Sequence, residues 1–68
     1  MEKQLIEKYI GKFIKIIIDE GKLTTVYSGR ITSTDSNSFE FTDKFNNKYL
    51  FTINALIKIE LIEGEHDY

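Results

Sequence analysis

The sequence predicts a mainly β domain, in which a short N-terminal helix is followed by five short antiparallel strands wrapped into a small, strongly bent barrel. Three observations predict it. Segments rich in β-branched and aromatic residues alternate in hydrophobicity with a period of two and are separated by turn-forming clusters. A glycine, Gly29, interrupts the longest of these segments, and glycine inside a strand marks a sharp bend or a bulge. Finally, 68 residues without cysteine make one small domain with no covalent staple. At this length folding hides only roughly 60% of the unfolded chain's surface. The remaining source of support for such a domain is self-association.

Each element follows in order. From Glu2 to Ile10 the apolar residues Leu5, Ile6, Tyr9 and Ile10 recur at helical spacing, and Gly11 supplies a left-handed stop. A helix this short is marginal alone and is expected to lie on the sheet and cap one end of the barrel. Phe13 to Asp19 is the first strand, with Ile14, Ile16 and Ile18 on one face. The turn Asp19-Glu20-Gly21-Lys22 leads to a long strand from Leu23 to about Thr34, along which Leu23, Thr25, Tyr27, Gly29, Ile31 and Ser33 share one side.

Asp35-Ser36-Asn37-Ser38 is a tight turn made of residues that bond their own backbone. Phe39 and Phe41 then alternate with Glu40 on a short third strand. After a turn at Asp43 to Asn47, the fourth strand runs from Lys48 to Ile53, with Tyr49, Phe51 and Ile53 opposed to Leu50 and Thr52. Asn54-Ala55 interrupts the pattern. A fifth strand follows, with Ile57, Ile59 and Leu61 on one face and Leu56, Lys58, Glu60 and Ile62 on the other. The domain is thus expected over residues 1–62, with an acidic, frayed tail at 63–68.

Charge is unevenly divided. The formal net charge is -2. Between Gly11 and Ile59, however, Lys12, Lys15, Lys22, Arg30, Lys44, Lys48 and Lys58 outnumber Asp19, Glu20, Asp35, Glu40 and Asp43, so the body is about +2. The acidic end, with Glu60, Glu63, Glu65 and Asp67, supplies the deficit. Charged residues near the start interrupt any signal-peptide core, and no apolar run approaches membrane-spanning length, so a soluble, cytoplasmic protein is expected, with no membrane partner.

Catalysis finds no support in the residue types. The single histidine, His66, lies in the tail, so no Ser-His or Cys-His pair sits on a rigid element, and no enzyme activity is expected. Glu63, Glu65, His66 and Asp67 are metal-capable types, but a flexible acidic tail is usually a solvated end. Neither a metal nor a cofactor is assigned.

The run Gly29-Arg30-Ile31-Thr32-Ser33-Thr34-Asp35 into Phe39-Glu40-Phe41, followed by Tyr49-Leu50-Phe51 and Asn54-Ala55-Leu56-Ile57-Lys58-Ile59, resembles the Sm-like (Lsm, Hfq) small β-barrels. Gly29, Ile31, Asp35, Phe39 and Phe41 fit the first half of the Sm signature. Thr34 stands where the family has an apolar residue, and Ser38 where its base-reading asparagine would fall, with Asn37 next door. The Arg-Gly pair of the eukaryotic and archaeal pattern is missing. Thr52-Ile53-Asn54-Ala55-Leu56 looks more like the bacterial Hfq version, with Asn54 in place of its histidine. Other SH3-like barrels share much of this element order.

The resemblance implies an RNA-binding protein that pairs its fourth strand with the fifth of the next copy, closing a homo-oligomeric ring, a hexamer or heptamer, around single-stranded U- or A-rich RNA. On that reading Asp35, Asn37 and Asn54 face the pore. Arg30, Lys48 and Tyr49 are further RNA-binding residues, because cations beside an aromatic ring suit phosphate neutralisation and base stacking. The residues alone leave alternatives open: Asp35 and Asn37 also suit closing the turn, Asn54 the bend, and Tyr27, Phe45 and Tyr49 the core. The competing functional reading is an SH3-like protein-interaction or regulatory module that binds no nucleic acid.

Overall fold

The computed structural model describes residues 3–62; the expected tail at 63–68, with His66 and its acidic neighbours, lies outside the described residues. Helix α1, Lys3–Glu7, is shorter than its sequence pattern. It makes little more than one turn, and beyond it the Tyr9 N–H donates to the Ile6 carbonyl and the Lys12 N–H to the Tyr9 carbonyl, both at 3.0 Å. One turn presents one residue inward: Ile6 is fully buried, while Leu5 and Ile10 stay exposed. Gly11 takes the left-handed conformation at φ 84° and donates its N–H to the Ile31 carbonyl, which ties the helix to the sheet.

Strand β1, Phe13–Asp19, alternates as its pattern predicts, with Ile14, Ile16 and Ile18 buried. In the turn that follows, Gly21 adopts φ 92° and its N–H donates to the Asp19 carboxylate at 3.0 Å. Strand β2 is Thr24–Thr34, β3 is Ser38–Asp43 and β4 is Lys48–Thr52. A short 3-10 turn at Ile53–Ala55 leads to β5, Leu56–Leu61. The fourth strand ends one residue earlier than expected, because Ile53 turns inward to join the core.

All strands are antiparallel in one sheet of order β4-β3-β2-β1-β5. The expected barrel is only partly realised: β4 and β5 lie on opposite edges and do not pair, so the sheet is not closed. Gly29 marks a close approach of β2 to β3. A Cβ there would collide with the Thr42 carbonyl oxygen and lie 2.6 Å from the Cα of Asp43.

Two bulges revise the faces read from alternation. The β2–β3 register shifts between Ile31 and Ser33, so Ser33 is exposed instead of sharing the inner side with Ile31. An unpaired residue in one strand flips every later side chain to the other face. Likewise Ile17 opposes Lys58 while Ile18 opposes Leu56, which leaves Ile57 unpaired and exposed. Leu56 and Ile59 turn inward in its place.

The core comprises Ile6, Ile14, Ile16, Ile18, Ile31, Phe39, Phe41, Ile53 and Leu56, flanked by Tyr9, Tyr27, Tyr49, Phe51, Ala55 and Ile59. Every strand but β4 supplies a buried residue, and β4 flanks the core with Tyr49 and Phe51. Among the described residues no helix is long and apolar enough to cross a membrane.

Candidate nucleic-acid interface

The β2–β3 turn is built by Asp35. One of its carboxylate oxygens, Oδ1, accepts the N–H of Asn37 and of Ser38, each at 3.0 Å, and the Ser38 hydroxyl at 3.1 Å. The Asp35 N–H in turn donates to the Ser38 carbonyl at 2.9 Å. These bonds, that from the Asn37 amide foremost, hold the Asp35 carboxyl below its ordinary value. Asp35 is therefore committed to shaping the turn, and this turn presents Asn37.

The same turn is fastened to the end of β4. Beside that junction, Lys3, Ser36, Asn37, Thr52, Ile53 and Asn54 line a shallow recess of about 310 Å³. Both asparagine side chains are exposed, and among the described residues neither amide has a hydrogen-bond partner. An amide with both donor and acceptor free can read the edge of an unstacked base. Lys3 places one cation at the rim, paired with Glu7 at 3.8 Å in an exposed ion pair.

Arg30 and Lys48 lie elsewhere. They belong to a groove on the outer face of the sheet, opposite the core, together with Phe13, Thr32, Thr42, Lys44 and Asn46. Tyr49 points the other way. Its ring stacks on Phe51 at 5.5 Å and 14°, and it lies 5.1 Å from Tyr27. Its hydroxyl donates to Oδ2 of Asp43 at 3.3 Å. Desolvation and then the charge of Asp43 push the Tyr49 phenol above its ordinary value. The residues singled out from sequence thus separate into a recess (Asp35, Asn37, Asn54), an outer groove (Arg30, Lys48) and an aromatic cluster (Tyr49).

Two further polar groups complete the picture. At the far end of β2, Glu20 accepts hydrogen bonds from Thr25 and Tyr27, both at 2.8 Å. The bond to Glu20 first, and burial second, push the Tyr27 phenol up to about 12. On the β1–β5 edge, Glu60 bridges Lys58 at 2.9 Å and Lys15 at 3.2 Å and is held below its ordinary value, Lys58 contributing most.

Sequence reasoning missed Lys3 at the recess and the gathering of Lys44, Asn46 and Phe13 around Arg30 and Lys48. The register that brings Phe13, Arg30, Thr42 and Lys48 into line was the missing signal, and no local pattern encodes it. Among the described residues, no three His, Cys, Asp or Glu side chains gather as they would to hold a metal. No known protein family, curated protein or solved structure is significantly similar to the chain.

Proposed function

We propose that this chain is an RNA-binding protein of the Sm-like kind, which assembles into a homo-oligomeric ring of six or seven copies and holds single-stranded U- or A-rich RNA. The observation that carries the reading is the meeting of Asn37 and Asn54 in one recess, from two turns of the chain. Two free amides on a fixed turn suit base edges, and repetition around a ring would present them to successive nucleotides of one strand.

The edges supply the means of assembly. Strands β4 and β5 are unpaired on their outer sides, and they carry exposed Leu50, Ile57 and Leu61. An edge with unsatisfied backbone groups and apolar side chains is a template for another strand. Because the two edges differ, copies join head to tail, and such contacts close when the rotation permits.

Sedimentation of the full chain, followed by titration with oligo-U and oligo-A at two salt concentrations, tests the reading. A closed oligomer with salt-weakened affinity for either RNA is expected. A monomer that binds neither would overturn it and favour the SH3-like interaction module.

A further inference from the structure

The outer groove is a different surface from the recess. In register across four strands, Phe13 pairs with Arg30, Arg30 with Thr42, and Thr42 with Lys48. Directly paired residues project on the same side of a sheet. Their chain neighbours Ile14, Ile31 and Phe41 are buried, so the row faces away from the core. Arg30 and Lys48 rise two strands apart, about 10 Å, with the small Thr42 between them.

The rim is held in place. The Lys44 N–H donates to the Ser28 carbonyl at 3.0 Å, and Asn46, at φ 72°, donates its N–H to the Asp43 carbonyl at 3.0 Å. The groove, open to solvent along one side, has a volume of about 530 Å³. That lies within the roughly 300–1,000 Å³ usual for ligand sites.

Its electrostatics favour an anion. Among the described residues the ion pairs engage Lys3, Lys15 and Lys58, so Arg30, Lys44 and Lys48 have no carboxylate partner. One carboxylate, Asp43, lines the groove, and both its oxygens are taken. Oδ1 accepts the N–H of Phe45 and of Asn47, each at 2.9 Å, and Oδ2 accepts the Asn47 side-chain amide and the Tyr49 hydroxyl. Three cations therefore remain for an incoming charge. Arginine's planar fork matches a phosphate, the Thr42 hydroxyl adds a donor while that of Thr32 is given to the Glu40 carboxylate at 2.6 Å, and the half-buried Phe13 ring offers an apolar wall for a sugar or base. Cations and hydroxyls of this kind contact backbone more than they read sequence.

We infer that this outer groove binds the sugar-phosphate backbone of single-stranded nucleic acid without regard to base, and that each subunit does so by itself. The inference rests on the proposed function for the class of ligand alone; it needs neither the ring nor the recess. It adds a sequence-independent hold to a base-reading one, on a separate surface lined by different residues.

The test compares the wild-type chain with two variants, Arg30→Gln/Lys44→Gln/Lys48→Gln and Asn37→Ala/Asn54→Ala, by anisotropy titration of labelled oligo-U and oligo-A over a salt series. The triple variant should lose about tenfold or more in affinity for both oligomers alike. Its plot of log affinity against log salt should flatten by about 2, since each single-strand phosphate contact contributes roughly 0.7. The asparagine variant should keep the wild-type slope. All three cations are exposed, so the fold should survive, and amide shifts on adding oligo-U to the wild type give a second reading at residues 29–32 and 42–48. A wild-type slope in the triple variant, shifts confined elsewhere, or no binding of either oligomer by the wild type would overturn the inference. A flattened slope in a monomeric protein would uphold the groove while the ring reading falls, and one in a protein indifferent to the asparagines would uphold it while the recess reading falls.

Discussion

The backbone N–H of Ile53 donates to the carbonyl oxygen of Asn37 at 2.8 Å, joining the β2–β3 turn to the start of the 3-10 segment. This bond uses only main-chain atoms, so the Asn37 side chain is left to the recess. Asn37→Ala and Asn54→Ala should therefore leave thermal stability within about 0.5 kcal/mol of wild type. Each should weaken binding of the preferred oligomer about fivefold, the worth of roughly one net hydrogen bond. Calorimetric melting and anisotropy titration check the two halves separately, and an unchanged affinity in both variants would remove these amides from the site.

Gly29 is the one position where the sheet tolerates no side chain. Its neighbour is the backbone of Thr42 and Asp43, which cannot swing aside as a side-chain tip would. Gly29→Ala should destabilise the domain by about 2–3 kcal/mol, the cost of overpacking against a rigid partner. Urea unfolding followed by circular dichroism measures it. An alanine variant as stable as wild type would mean that β2 and β3 are farther apart here.

Leu50 is 75% exposed on edge strand β4, so it adds little to the fold of one subunit. If copies join edge to edge as proposed, Leu50→Lys should dissociate them, because an edge lysine opposes pairing with another strand, while shifting subunit stability by no more than about 0.5 kcal/mol. Sedimentation velocity reads the first effect. An intact ring would show that the β4 edge is not the joint.

Asp35 carries the pH dependence at the acid end. Its folded pKa lies below its ordinary value of 3.8, so its contribution to stability is complete above that pH and is lost as pH falls through the depressed folded value. Asp35→Asn should lower the melting temperature near neutral pH, and the gap from wild type should close in acid. A gap constant down to the acid unfolding limit would contradict the turn's reliance on the ionised carboxylate.

Tyr27 sets the opposite limit. Bonded to Glu20, its phenol titrates at about 12 against an ordinary 10.0, so its contribution is whole below pH 10 and fades as the pH rises toward 12. Wild type should lose stability across that window, and Tyr27→Phe should lose less. Ultraviolet titration of the phenolate band alongside alkaline melts checks it.

Much of the strand pattern was legible because burial leaves a period of two in the chain. Ile14, Ile16 and Ile18, and likewise Phe39 and Phe41, announce their strands and their inner face. The same rule failed where a bulge intervened, since Ser33 and Ile57 obey the alternation in sequence but not in space. The recess was legible in part. Asp35 and Asn37 are turn formers by chemistry, whereas the contact of Asn37 with the Asn54 segment depends on a bond between residues far apart in sequence.

By itself, then, the order of residues determined the elements and the turn chemistry at Asp35 and Gly21; Gly29, read as a bend or bulge, proved to be a close approach to the β3 backbone, with the bulge further on, between Ile31 and Ser33. The elements and turns follow from local sterics and from which side chains avoid water. Only the tertiary structure decided that Asn37 and Asn54 line one recess and that Arg30 stands in line with Lys48. Those relations depend on strand register and on two single-residue bulges, and register is a property of the pairing between strands that neither strand carries alone.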